Sequence, residues 1–148
     1  MQEPREVFQT FTRRFGLLNK TCCSVLDQEV SLVQSHILFE ISKRPGSAMQ
    51  EIADLLGMDI TTFSRQIQTL IKRELVLKSP SSEDRRIQLI HLTPLGQQVT
   101  DGIDTEVNAH LEDIFKQMTP FEKTAVLQSI TLLNEAMLNS DFCCKTSS

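Results

Sequence analysis

The chain has 148 residues, enough for one domain with a real core, and a formal net charge of −4 with 8 Phe and no Trp or Tyr. It has no apolar run long enough to span a membrane, no Gly-rich phosphate loop, no HExxH and no Gly-x-Ser-x-Gly. An enzyme is therefore not expected, nor a cofactor, a metal site or a catalytic residue. His36, His91 and His110 are scattered, with no Cys or carboxylate at ligand spacing. The opening Met-Gln-Glu-Pro-Arg-Glu lacks the basic-then-apolar pattern of a secretory signal, so a cytoplasmic location is expected. The 4 Cys form two adjacent pairs, Cys22-Cys23 and Cys143-Cys144, which cannot staple distant segments as a secreted framework does.

In chain order, residues 5–26 read as a helix on Phe8, Phe11, Phe15, Leu18, Cys22 and Val25, with the Arg13-Arg14 pair on a solvated face. Residues 31–43 read as a second helix on Val33, Ile37 and Ile41, ended by Arg44-Pro45-Gly46. His36 sits among those apolar residues and is expected as a hydrogen-bonded packing residue. Residues 49–56 make a short helix on Ile52, Leu55 and Leu56, closed by Gly57, and Asp59 is placed to cap the next helix. Helix, Gly-containing turn, helix is a helix-turn-helix unit.

The stretch from Asp59 to Thr93 is the most informative. Ile60, Phe63, Ile67, Leu70 and Ile71 form one stripe at about 100° per residue. The opposite face carries Thr61, Thr62, Arg65, Thr69 and Lys72, with Gln68 and Gln66 flanking it and Ser64 nearer the boundary. Such groups donate to phosphates or read base edges. Leu75–Ser79 and Ile87–Leu92 read as two strands around the polar turn Pro-Ser-Ser-Glu-Asp-Arg-Arg. A polar-faced helix followed by a hairpin with arginines at its tip is the layout of a winged helix-turn-helix: the helix suits a major groove, the tip an adjacent minor groove.

Thr93-Pro94 starts a long helix on Leu95, Val99, Ile103, Val107, Leu111, Ile114 and Met118, predicted to run to about residue 118 and to be nearly 40 Å long. Thr119 to Glu122 is a capping box that opens a last helix on Val126, Ile130, Leu133 and Met137. Residues 140–148 read as an unstructured tail. So long an apolar stripe is too much for one small chain to cover and predicts a two-fold dimer.

The run Glu-Asp-Arg-Arg-Ile-Gln-Leu-Ile-His-Leu-Thr-Pro-Leu-Gly resembles the wing signature of the MarR family of bacterial transcription regulators. Asp84, Arg86, Leu92, Thr93 and Gly96 match it in register, and the preceding helix resembles the family's recognition helix, with Ser64-Arg65 in place. Glu74 stands where the family usually has the Gly that closes this helix. The resemblance implies a mainly α fold with a small β-hairpin wing: a winged helix-turn-helix over 31–93 plus a helical dimerisation region from 5–26 and 94–140, in one domain of 1–148. It also implies a homodimer on a pseudo-palindromic operator in double-stranded DNA, acting as a repressor. The DNA-binding residues are then Thr61, Thr62, Ser64, Arg65, Gln68, Thr69 and Lys72 on the helix, and Asp84, Arg85 and Arg86 on the wing.

The acidic balance does not oppose this reading, because charge is segregated. Residues 60–93 hold six basic side chains and three acidic ones, whereas residues 94–148 hold three and eight. A competing reading is a winged-helix module that binds a partner protein and not DNA; the salt dependence of duplex binding separates the two. For control of DNA binding, the resemblance implies either a small-molecule effector between dimer and DNA-binding parts or a thiol switch. In the second, Cys22, Cys23, Cys143 and Cys144 respond to an oxidant or a thiophilic ion; the plainer reading makes Cys22 a small core residue and Cys143-Cys144 an incidental part of the tail.

Overall fold

The computed structural model describes residues 2–19 and 24–140. Its elements are α1 (Pro4–Asn19), β1 (Ser24–Val25), β2 (Gln28–Glu29), α2 (Leu32–Lys43), β3 (Ser47–Ala48), α3 (Met49–Leu55), α4 (Ile60–Lys72), β4 (Val76–Pro80), β5 (Gln88–Leu92), α5 (Pro94–Phe115) and α6 (Pro120–Leu138). The fold is mainly helical with small antiparallel sheets, as expected. Two compact units are present, residues 1–106 and 107–148. Among the described residues, no helix is long and apolar enough to cross a membrane.

The first unit is built around α4. Phe63, Ile67 and Leu70 of its apolar stripe are fully buried, together with Ile37, Leu38 and Ile41 of α2 and Ile52 and Ala53 of α3. Each such large side chain contributes about 1.5–3 kcal/mol. Two stripe positions differ from expectation: Ile60 is exposed and Ile71 only half-buried, since they lie at the two ends of the helix, outside the buried run from Phe63 to Leu70. Leu55 is likewise exposed, and Ala53 takes the buried position in α3. His36 is exposed and is not a packing residue; α2 turns Ile37, Leu38 and Ile41 inward and leaves the preceding position outside.

The wing strands β4 and β5 pair antiparallel from Val76↔Leu92 to Pro80↔Gln88. A third strand, β3, adds to the free edge of β5 through Ser47↔Ile90 and Ala48↔Leu89. Two residues are too few to show alternation, which is why no strand is legible there. Gly46, at φ +79, brings the chain into this pairing, and its N–H donates to the Ile90 carbonyl at 3.1 Å.

The first predicted helix is corrected. It ends by Asn19, and Val25 is in a strand. Ser24↔Glu29 and Val25↔Gln28 form a hairpin, with Leu26 and Asp27 both at positive φ, 52 and 61. This is the backbone of a type I′ turn, normally signalled by Asn-Gly. Val25 packs on α5 at Gly102, where an added Cβ would lie 2.3 Å from Val25 Cγ1. A tertiary contact thus decides the conformation of a segment whose periodicity reads as helix. Cys22, Cys23, Cys143, Cys144 and the predicted tail beyond Ser140 lie outside the described residues.

The long helix also ends earlier than predicted, at Phe115. Gln117 and Met118 then donate to the Ile114 and Phe115 carbonyls in a tight turn. Thr119 and Glu122 cap α6 reciprocally, as the capping box predicts: the Glu122 N–H donates to Thr119 Oγ1 at 3.2 Å and the Thr119 N–H to Glu122 Oε2 at 2.8 Å. No residue of α6 is buried, and Phe121, Leu132 and Leu138 are largely exposed.

Helices α3 and α4 end in the same Schellman geometry. The Met58 N–H reaches the Ala53 carbonyl and the Gly57 N–H the Asp54 carbonyl, while Leu75 reaches Leu70 and Glu74 reaches Ile71. Gly57 adopts the required left-handed φ, +64, without cost; Glu74 adopts it at +60 with a Cβ. Glu74→Gly is expected to stabilise the fold by about 1 kcal/mol, raising Tm by roughly 3 °C. A thermal melt of the variant checks this, and an unchanged or lower Tm means that residue 74 is not left-handed.

Candidate nucleic-acid interface

Helix α4 carries a continuous polar face. Thr61, Thr62, Arg65, Gln68, Thr69 and Lys72 are all exposed, and Ser64 is half-buried at the edge. Asp59 begins the helix as its N-cap: Oδ2 accepts from the Thr62 N–H at 3.0 Å and from the Thr62 hydroxyl at 3.2 Å. The Thr62 backbone bond is the main cause that holds the Asp59 carboxyl below its ordinary range, with the Thr62 hydroxyl, the Thr61 N–H and Arg65 adding to it. The Thr69 hydroxyl donates back to the Arg65 carbonyl at 3.2 Å. The hydroxyl hydrogens of Thr62 and Thr69 are thus engaged, and both oxygens keep acceptor capacity outward.

The wing turn is tightly organised. The Ser81 N–H donates to the Ile87 carbonyl at 2.8 Å, and the Ile87 N–H to the Asp84 carbonyl at 3.0 Å. Asp84 takes both ends of the Arg86 fork, Nε to Oδ1 and Nη2 to Oδ2, each at 3.1 Å, and also the Arg86 N–H at 3.0 Å. The Arg86 side-chain bonds are the leading cause of a lowered Asp84 carboxyl pKa. The Arg86 side chain is still 91% exposed, so the pairing aims the guanidinium without hiding it. Arg85 is exposed beside it.

Helix and wing meet at one open groove of about 290 Å³, walled by Ile60 and Ser64 of α4 and by Arg86, Ile87 and Gln88 of the wing. The structure therefore brings Ser64 and Arg86, 22 positions apart in the sequence, onto one surface. Arg73 is the exception within the basic window. It is half-buried and donates to Gln28 and Gln34, away from the polar face. Without Arg73, residues 60–93 hold five basic side chains against three acidic ones. Its position next to Lys72 gives no sign of this inward role, because the partners come from β2 and α2.

Residues 30–88 match the model of the MarR family. Residues 30–88 form a MarR-family winged helix. YxaD of Bacillus subtilis, described as an uncharacterized HTH-type transcriptional regulator, is 27% identical over 143 residues, spanning 93% of this chain and 98% of that one. Among solved structures, Streptococcus pneumoniae FabT in complex with DNA aligns with a TM-score of 0.79 at 18% identity, covering 91% of this chain and 97% of that one. The PcaV transcriptional regulator of Streptomyces coelicolor in complex with its natural ligand aligns with a TM-score of 0.75 at 20% identity, covering 92% and 94%. The MarR-family winged helix thus has the fold of a protein seen on DNA, and its polar helix face and wing tip are both exposed.

Asp59 and Asp84 both have lowered folded pKa values. A depressed carboxyl contributes stability that is present above the unfolded value, about 3.9, and is lost as pH falls through the lower folded value. The helix cap and the wing pair therefore persist through neutral and mildly acidic pH. Asp59→Ala is expected to lower the urea midpoint at pH 7, with a smaller difference from wild type once the pH is below about 3. Urea titrations at the two pH values check it; a pH-independent difference would show that the ionised cap is not its source.

Proposed function

We propose that this MarR-family protein is a sequence-specific DNA-binding transcription regulator that engages a pseudo-palindromic operator as a homodimer and acts as a repressor. The observation that carries the reading is the surface that α4 and the wing share: Ser64 and Arg86 line one groove, α4 exposes Thr61, Arg65, Gln68 and Lys72, and Asp84 aims Arg86. Helix α4 enters the major groove, and Arg86 with Arg85 reaches the neighbouring minor groove. Ser64 and Lys72 sit toward phosphate; Arg65 has the reach for a bidentate contact to guanine.

Dimerisation is supported by apolar surface that each unit leaves uncovered. Val7, Phe8 and Phe11 of α1 are 46–49% exposed, and α6 exposes Phe121, Leu127, Ile130 and Leu132. Such surface on a helix of a small chain calls for a partner, and two-fold pairing presents two recognition helices to two half-sites. The resemblance to PcaV in complex with its natural ligand supports a small-molecule effector as the releasing signal.

Selection of fragments from a random duplex pool, followed by binding at several salt concentrations, tests the reading. Affinity should fall steeply with salt, by about 0.9 log unit per log unit for each phosphate neutralised; absent or salt-insensitive binding favours a protein partner. Arg86→Ala is expected to weaken operator binding by about 1–3 kcal/mol with the fold intact. Unchanged affinity in Arg85→Ala, Arg86→Ala and the double variant would remove the wing from the interface. Arg65→Ala is expected to flatten base preference at one position per half-site. Equal loss on all sequences would instead make Arg65 a phosphate contact.

A further inference from the structure

The hairpin β1–β2 is far in sequence from the recognition helix but bonded to its last turn. Arg73, the C-cap of α4, donates to Gln28 Oε1 from Nη2 at 2.9 Å and from Nε at 3.3 Å. Its Nη1 donates to Gln34 Oε1 at 3.3 Å, and Gln34 Nε2 donates in turn to Gln66 Oε1 at 3.4 Å. Neutral amide oxygens satisfy the half-buried guanidinium without desolvating a second charge. On its other side the hairpin is seated on α5, where Val25 occupies the space that a Cβ at Gly102 would fill. The hairpin is therefore clasped between α5 and the end of α4. Its two-residue turn, with Leu26 and Asp27 both left-handed, leaves little slack between the two contacts.

We propose that Arg73 is a positioning residue for DNA recognition: through Gln28 it fixes the C-terminal end of α4 to a hairpin that α5 seats, and so sets the angle at which α4 meets the major groove. This rests on the DNA-binding reading above. It assigns a role in operator affinity to a cation that touches no DNA. The chain of contacts runs from Gly102 by packing to Val25, across the β1–β2 pairing to Gln28, and by hydrogen bonds on to Arg73.

The test uses the full chain, an operator duplex selected by the wild-type protein and an unrelated duplex of equal length. Gln28→Ala leaves every charge in place. It is expected to lower operator affinity roughly three- to tenfold, with affinity for the unrelated duplex and the salt slope unchanged. Arg73→Ala is expected to lower operator affinity as well, and adding Gln28→Ala to it should cost nothing further. Arg73→Lys, which keeps the charge but has a single donor nitrogen, should recover part of the loss. Melting curves establish that each variant is folded at the assay temperature; if Arg73→Ala is not, the milder Gln28→Ala decides alone. Wild-type operator affinity in Gln28→Ala, or an equal loss on both duplexes, overturns the proposal. A salt slope in Arg73→Ala shallower by about one phosphate also overturns it, because Arg73 is then a phosphate contact. A wild-type protein that selects no duplex removes the DNA-binding reading itself, and the positioning role falls with it.

Discussion

One hydroxyl joins the three parts of the DNA-binding unit. Thr93 Oγ1 donates to the Glu74 carbonyl at 2.6 Å and accepts from the Gly96 N–H at 2.9 Å. The Thr93 N–H donates to the Leu75 carbonyl at 3.1 Å. The end of α4, the base of the wing and the first turn of α5 are thus held at a single point. Gly96 makes the approach feasible: a Cβ there would stand 1.9 Å from the Leu75 carbonyl oxygen. The contact is with backbone, which cannot swing aside as a side chain can. The wing sequence therefore divides by task. Asp84 and Arg86 face outward, Leu92 pairs with Val76 inside the wing, and Thr93 and Gly96 hold the wing to the end of the helix that precedes it.

This junction determines how rigidly the polar face of α4 is presented. The helix is capped by Asp59 at one end and closed by the Glu74 turn at the other, and Phe63, Ile67 and Leu70 lock its inner side. Arg86 is pre-aimed in the same way by Asp84. Groups ordered before binding lose less conformational entropy on the duplex, so the cost is met during folding. The left-handed Glu74 shows that the geometry is imposed by its surroundings: the chain accepts a strained backbone at that residue to keep the Leu70–Leu75 closure.

Much of this was legible in the sequence because it depends on local chemistry. The Asp59 cap, the Thr119–Glu122 box, the closing Gly57 and the amphipathic α4 each follow from residues within one or two turns of each other. The Asp84–Arg86 pair spans only two positions. Three features depend on distant partners and were not legible. Strand β3 exists because the edge of β5 is available to Ser47 and Ala48. Hairpin β1–β2 exists where periodicity reads as helix, and its Leu-Asp turn carries none of the usual signals. Arg73 looks like one more cation in a basic run until Gln28 and Gln34 are seen to surround it.

Withdrawal of Arg73 changes the electrostatic argument. The cations left around the polar face are Arg65, Lys72, Lys78, Arg85 and Arg86, and Asp84 offsets part of the last. Affinity for duplex scales with the number of phosphates neutralised, so a protomer with so few cations binds weakly alone. Two protomers joined as proposed would double that number, and the second half-site would then be engaged at high effective concentration. The acidic residues of 94–148 lie in a different part of the chain from the wing and α4. A net charge of −4 is therefore compatible with DNA binding, provided that the basic face acts in pairs. If the protomers pair as proposed, the exposed apolar faces of α1 and α6 would be as necessary to operator binding as the arginines, although they stand apart from the polar face of α4 in the sequence.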